Sequence, residues 1–208
     1  SSSNIYVVGY FSGTSDFDPG AGTSNLTSVG NDDSFVLKLD SNGDFVWAKN
    51  IGGNGTDWGY SVVVDSLSNL YITGYFNGTV DFDPGAGTSN LTSAGGSDSF
   101  VLKLDSNGDF VWAKKVGGES FNNDEGRSIA LDVNNNIYIV GYFAGVVDFD
   151  PGTGTSNLTS SGMPGSRDIF VLKPLESNPP TLSETTPIGT SVNNFTPSYT
   201  FNTTEAGT

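Results

Sequence analysis

Ser34-Phe-Val-Leu-Lys-Leu-Asp-Ser-Asn-Gly-Asp-Phe-Val-Trp-Ala-Lys49 returns without a single change as Ser99 to Lys114. Each copy holds two β-prone apolar runs around Asn42-Gly43 or Asn107-Gly108, a dipeptide that tolerates the positive φ angles of a tight hairpin turn. The stretch therefore predicts a β-hairpin, duplicated within one chain. Outward from it, Asp16-Phe-Asp-Pro-Gly20 recurs at Asp81 to Gly85 and at Asp148 to Gly152, about 65 residues apart each time. A repeat of that period is the first fact a fold must satisfy.

The second copy serves as a template for one unit: strands at about 59–65, 70–76, 99–105 and 109–115, with a long loop between the second and third. Ser61-Val-Val-Val64 and Leu70-Tyr-Ile-Thr-Gly-Tyr-Phe76 are apolar on both faces, which suits a sheet sandwiched between neighbouring sheets. By the same reading the chain opens one strand late, at Ile5 to Phe11, and runs through ten strands. The third unit breaks off where Lys173 meets Pro174, because proline cannot donate to a strand ladder.

Composition agrees with an all-β fold. The 208 residues contain 28 glycines, 35% hydrophobic residues and 12% aromatics, enough apolar material for a core and too much turn chemistry for helices. A net charge of −15 repels phosphate backbones and anionic membrane surfaces, so neither nucleic-acid binding nor membrane insertion is expected. The absence of histidine and cysteine excludes Ser-His-Asp and Cys-His catalysis and thiolate or imidazole metal sites. Carboxylate chemistry remains.

These elements resemble the seven-bladed β-propeller repeats of exported bacterial and archaeal proteins. The similarity is carried by Asp98-Ser-Phe-Val-Leu-Lys-Leu-Asp-Ser-Asn-Gly108, Gly117-Gly118, Asp132 and Tyr138-Ile-Val-Gly141, with a second set at Asp33, Gly52-Gly53, Asp65 and Tyr71 to Gly74. The resemblance implies four-stranded antiparallel blades, about two and a half of them, in an incomplete ring over residues 1–174, with units near 4–68, 69–135 and 136–174. Residues 175–208 read as a Pro/Thr-rich linker that is similar to the start of an immunoglobulin-like surface repeat.

Each unit offers three aspartates around its long loop: Asp16, Asp18 and Asp33; Asp81, Asp83 and Asp98; Asp148, Asp150 and Asp168. Hard oxygen ligands of this kind suit Ca²⁺. The competing reading is that Asp18 and its counterparts cap a Pro-Gly turn. A glycosidase carboxylate pair is disfavoured because every candidate is copied in each unit. Gly52-Gly-Asn-Gly-Thr-Asp57 opens like a calcium β-roll nonapeptide, but the next unit loses the pattern; Asp40-Ser-Asn-Gly-Asp44 reads as a hairpin turn. Trp47 and Trp112 occupy equivalent positions and are expected between blades, whereas Trp58 has no counterpart and is the candidate ligand-binding aromatic. Seven Asn-x-Ser/Thr sequons include Asn25, Asn90 and Asn157 at matching positions.

The function expected from these residues is a non-enzymatic extracellular or cell-surface scaffold or adhesive module. Its incomplete first and last blades imply a piece of a longer polypeptide, or self-association through β-strand edges into a layer or filament. The alternative is a carbohydrate-binding propeller segment of a larger secreted protein, with glycans as partners.

Overall fold

The computed structural model describes residues 4–174 apart from 120, 122, 151, 153 and 162–164. The expected linker at 175–208 lies outside the described residues. Among the described residues there is no helix, and all named strand pairs are antiparallel.

The strands group into three successive blades, the first two joined by a short pairing of Gly52 with Asp81 and Gly53 with Val80. The first holds β1 (Ile5–Asp16), β2 (Asn25–Leu39) and β3 (Phe45–Gly53). The second holds β4 (Trp58–Val64), β5 (Leu70–Asp81), β6 (Asn90–Leu104) and β7 (Phe110–Val116), in the order β4-β5-β6-β7. The third holds β8 (Glu125–Leu131), β9 (Ile137–Phe143) and β12 (Asp168–Leu172), with β10 (Val146–Asp148) and β11 (Asn157–Thr159) as a separate two-stranded ribbon. These are blades of β-propeller type, one with all four strands and two with three.

The core lies between blades, as the two-faced apolar strands require. Leu70, Ile72, Phe100, Leu102 and Leu104 on one face of the second blade pack with Val36, Val8, Tyr6 and Trp47 of the first. On its opposite face Tyr71, Val101 and Trp112 pack with Ile137, Ile139, Phe170 and Leu172 of the third. Trp47 and Trp112 thus sit between blades, as their spacing predicted. Each fully buried Leu, Ile or Phe in these layers contributes roughly 1.5–3 kcal/mol.

Two local expectations are revised. The long loop is mostly strand: β5 and β6 continue as a ribbon whose Thr79 faces Thr92 and whose Asp81 faces Asn90. Gly78, at φ +79, breaks the register and donates its amide to the Ser93 hydroxyl at 2.9 Å. Asp-Phe-Asp-Pro-Gly is the tip of this ribbon. Its phenylalanine folds back into the blade, so that Phe82 lies 5.2 Å from Phe76 and 5.1 Å from Phe100. In the third blade the ribbon is a separate pair, which raises the ten expected strands to twelve among the described residues.

The Asn42-Gly43 turn also differs in kind. Of its residues only Gly43 has positive φ, at +89. The Gly43 amide donates to the Asp40 carbonyl, and the Asp40 carboxylate accepts from the amides of Asn42 and Asp44. The aspartate opening the turn therefore organises it, and the same device recurs at Asp65, Asp105 and Asp132.

Candidate functional site

The aspartates expected to share a metal serve three different purposes. Asp16 Oδ1 accepts the amides of Asp18 (3.0 Å) and Ser24 (2.8 Å), which closes the ribbon tip. Those two bonds, Ser24 first, hold its carboxyl below the usual range. Asp81 and Asp148 repeat the arrangement with Asp83 and Ser89, and with Asp150 and Ser156. Asp18, Asp83 and Asp150 each accept the amide of the glycine two residues on, at 2.7–2.8 Å, which is the turn-capping reading.

The third aspartate of each set stands apart from its ribbon tip. Asp33 is buried beside Gly52 and accepts from the Val29 amide and the Asn50 side chain. Asp98 is buried beside Gly117 and accepts from the Ala94 amide and Lys115 at 2.9 Å. Burial pushes both carboxyls up. Asp168 accepts the Ser161 amide. Among the described residues no three acidic side chains meet as a metal-holding group. The three-aspartate Ca²⁺ sets drawn from sequence spacing are thus not brought together among the described residues: one oxygen of each tip aspartate is held by backbone amides, and Asp33 and Asp98 are buried away from the tips.

The structure instead gathers side chains at the start of the inner strands. Gly59 on β4 and Gly126 on β8 lie against the preceding blade: a Cβ on Gly59 would stand 2.5 Å from Val8, and one on Gly126 2.7 Å from the Ser99 hydroxyl. That close approach brings the residues flanking each glycine onto the neighbouring blade. Trp58 stacks on Tyr10 with centroids 3.9 Å apart and planes 6° from parallel. Its indole N–H donates to Asp32 at 3.0 Å. Tyr60 and Tyr75 lie 6.1 and 5.5 Å from Trp58.

A β-bulge follows each of these glycines, between Gly59 and Ser61 and between Gly126 and Ser128. The extra residue is Tyr60 in one blade and Arg127 in the next, and a bulge re-aims the side chain it carries. Arg127 sits over Tyr60 at 4.3 Å and over Tyr142 at 4.9 Å, bonds the Tyr142 hydroxyl, and pairs with Glu125 at 2.6 Å. Arg167 lies over Tyr142 at 4.2 Å and 3.8 Å from the other Glu125 oxygen. Glu125 also accepts from the Tyr60 hydroxyl at 3.3 Å. Burial, then the Glu125 charge, pushes the Tyr60 phenol well up and that of Tyr75 up to about 12, so both remain neutral donors.

Trp58, singled out in the sequence, is part of this cluster. Tyr10, Asp32, Tyr60, Tyr75, Glu125, Arg127, Tyr142 and Arg167 were missed. A signal for them existed: where two repeats share sixteen unbroken identical residues, the columns that differ in chemistry are informative. Trp58 corresponds to Glu125, Tyr60 to Arg127, and Asp32 to Ser97 and Arg167, all around a tyrosine shared as Tyr10, Tyr75 and Tyr142.

Two buried aspartates lie behind the site: Asp57, which ends the Gly52–Asp57 stretch read as a β-roll opening, and Asp124, which the sequence did not single out. Asp57 accepts the amides of Gly53 and Asn77 and is pushed up to about 6, chiefly by burial. Asp124 accepts those of Gly118 and Ala144 and is pushed up to about 7 by the same cause. Each ties a blade-crossing loop to the next blade.

Comparison with known proteins agrees with this architecture. Residues 46–80 and 111–142 match the model of the Beta-propeller repeat family. An uncharacterized WD repeat-containing protein of Acanthamoeba polyphaga mimivirus is 28% identical over 198 residues, covering 82% of this chain and 14% of the relative. The regulatory protein FlaEY of Caulobacter vibrioides is 30% identical over 129 residues, covering 60% of this chain and 13% of the relative. The chain therefore spans about one seventh of the length of these relatives. The matched segments fall on β3–β5 and on β7–β9, and the stacked antiparallel sheets are of the β-propeller type that those segments resemble.

Proposed function

We propose that the chain is a non-enzymatic extracellular scaffold segment, completed by further blades of the same kind stacking on its two open sheet faces. The observation that carries the reading is a residue-by-residue contrast between repeats. Ile5 and Val7 of the first blade correspond to Leu70 and Ile72, which the first blade buries; Ile5 is 43% exposed. Val171 of the third blade corresponds to Val101, which the third blade buries; Val171 is 73% exposed. The open face at one end is thus of the kind that receives the open face at the other, a head-to-tail relationship. This reading replaces strand-edge pairing with face stacking as the mode of assembly. The extracellular setting is supported by the exposed sequon residues Asn25, Asn90 and Asn157 on the ribbon arms and by the lack of cysteine.

The test is light scattering on the chain as given, with the double variant Ile5→Lys, Val171→Lys beside it. Concentration-dependent association that the double variant abolishes is expected. A monomer at all concentrations that binds no hydrophobic dye would overturn the reading.

A further inference from the structure

Both arginines of a chain with net charge −15 meet at one tyrosine and share one carboxylate. Arginine is scarce here and the repeats are copied elsewhere almost letter for letter, so this convergence is a departure from the repeat pattern. Glu125 is buried and neutralises one positive charge, which leaves the trio at +1. Arg127 and Arg167 keep nearly half of their side-chain surface exposed. Arg127 already gives Nη2 to Glu125 and to the Tyr142 hydroxyl, and Arg167 turns Nη2 toward Glu125, so the other N–H groups of the two guanidiniums are what remains for a partner. A planar guanidinium edge matches a carboxylate through two parallel hydrogen bonds.

Beside this fork lies an apolar platform. Tyr10, 46% exposed, stacks on Trp58, and Asp32 pins the indole by its N–H. Tyr60 joins the two halves, touching Trp58 on one side and Arg127 on the other. An aromatic face with one polar edge is amphipathic enough to receive a ligand that is apolar on a face and hydroxylated at its rim. We propose that this surface binds an acidic oligosaccharide, with one sugar ring on the exposed Tyr10 of the Tyr10–Trp58 stack and a carboxylate of the same oligosaccharide on Arg127 and Arg167. The bulges at Tyr60 and Arg127 are the backbone devices that aim the two halves at one ligand.

The experiment is a tryptophan-fluorescence and calorimetric titration of the chain with a galacturonate trisaccharide, the galactose trisaccharide of the same linkage, and an oligoglutamate. Saturable binding of the galacturonate compound is expected, with an emission change that Trp58→Phe removes. Losing the charged hydrogen bonds in Arg167→Gln weakens it at least roughly tenfold, while Lys49→Gln leaves it unchanged. Equal thermal midpoints for wild type and Arg167→Gln show that the loss is one of binding. Tyr10→Ala, altered only on the platform side, weakens both saccharides alike. The proposal is overturned if the neutral sugar binds as tightly as the acidic one, if oligoglutamate binds as well as galacturonate, which would mark an acidic-peptide site, or if Arg167→Gln binds like the wild type.

Discussion

Tyr10 on β1 and Trp58 on β4 stack within 6° of parallel across the junction of the first and second blades. Their contact exists because Gly59, next to Trp58, lets β4 approach Val8 and Ser34. A stacked pair adds about 0.5–1.5 kcal/mol beyond its buried area. Trp58→Ala is therefore expected to lower the urea midpoint by an amount equivalent to about 2 kcal/mol, and Tyr10→Ala by less because Tyr10 is more exposed. Equal midpoints for wild type and Trp58→Ala would show that the stack adds no stability.

Gly59 and Gly126 predict a contrast with Gly13. Alanine at 59 or 126 places a methyl group inside the contact distance of the neighbouring blade, an overpacking that costs about 1–3 kcal/mol. Gly13, at φ +68, has open space where its Cβ would stand, so Gly13→Ala costs only the left-handed backbone penalty of about 1–2 kcal/mol. The discriminating measurement is a second substitution. Val8→Ala beside Gly59→Ala recovers part of the loss, whereas no neighbouring truncation rescues Gly13→Ala.

The buried carboxyls set a pH dependence. Asp57, near 6, and Asp124, near 7, lie above their unfolded values, so between about pH 4 and 7 the folded chain binds more protons than the unfolded one. Their contribution to stability is present at the acid end of that window and falls as pH rises through it. Asp33 and Asp98 act in the same direction, and one oxygen of each lacks a donor among the described residues, which a bound proton relieves. Asp16, Asp40, Asp65, Asp105, Asp132 and Asp148 are depressed by hydrogen bonds, and their contribution is lost only below about pH 4. A thermal-midpoint profile with a maximum near pH 4–5 is expected. In Asp57→Asn combined with Asp124→Asn the slope from pH 5 to 8 flattens; an unchanged slope would assign the dependence to other groups.

The ribbon tips predict a small response to calcium. Because one oxygen each of Asp16 and Asp18 is held by backbone amides and Asp33 stands elsewhere, millimolar Ca²⁺ followed by chelator is expected to leave the thermal midpoint within about a degree. Asp81→Ala, which strands the Asp83 and Ser89 amides, costs about 1–2 kcal/mol with or without the ion. A rise of several degrees on adding Ca²⁺, lost in Asp81→Ala, would mean that the acidic groups do converge on a metal.

Repetition, strand period and turn residues determined the blades. Two identical hairpins, apolar on both faces, can be buried only between sheets, and that follows from the order of residues alone. The capping role of Asp18, Asp83 and Asp150 was equally local, since an aspartate two residues before a glycine amide reaches it without help from the fold. What the tertiary structure decided is which distant residues meet. Tyr10, Trp58, Arg127 and Arg167 come from three different repeats, and nothing in their spacing says that two glycines bring those repeats close enough for stacking. The same holds for Asp33 and Asp98: their sequence distance from the ribbon tips suggested a shared ion, but the long bent strands carry the tips away from the buried carboxyls. Local order fixes hydrogen bonds within a turn, whereas the meeting of side chains across blades depends on how closely one sheet lies on the next.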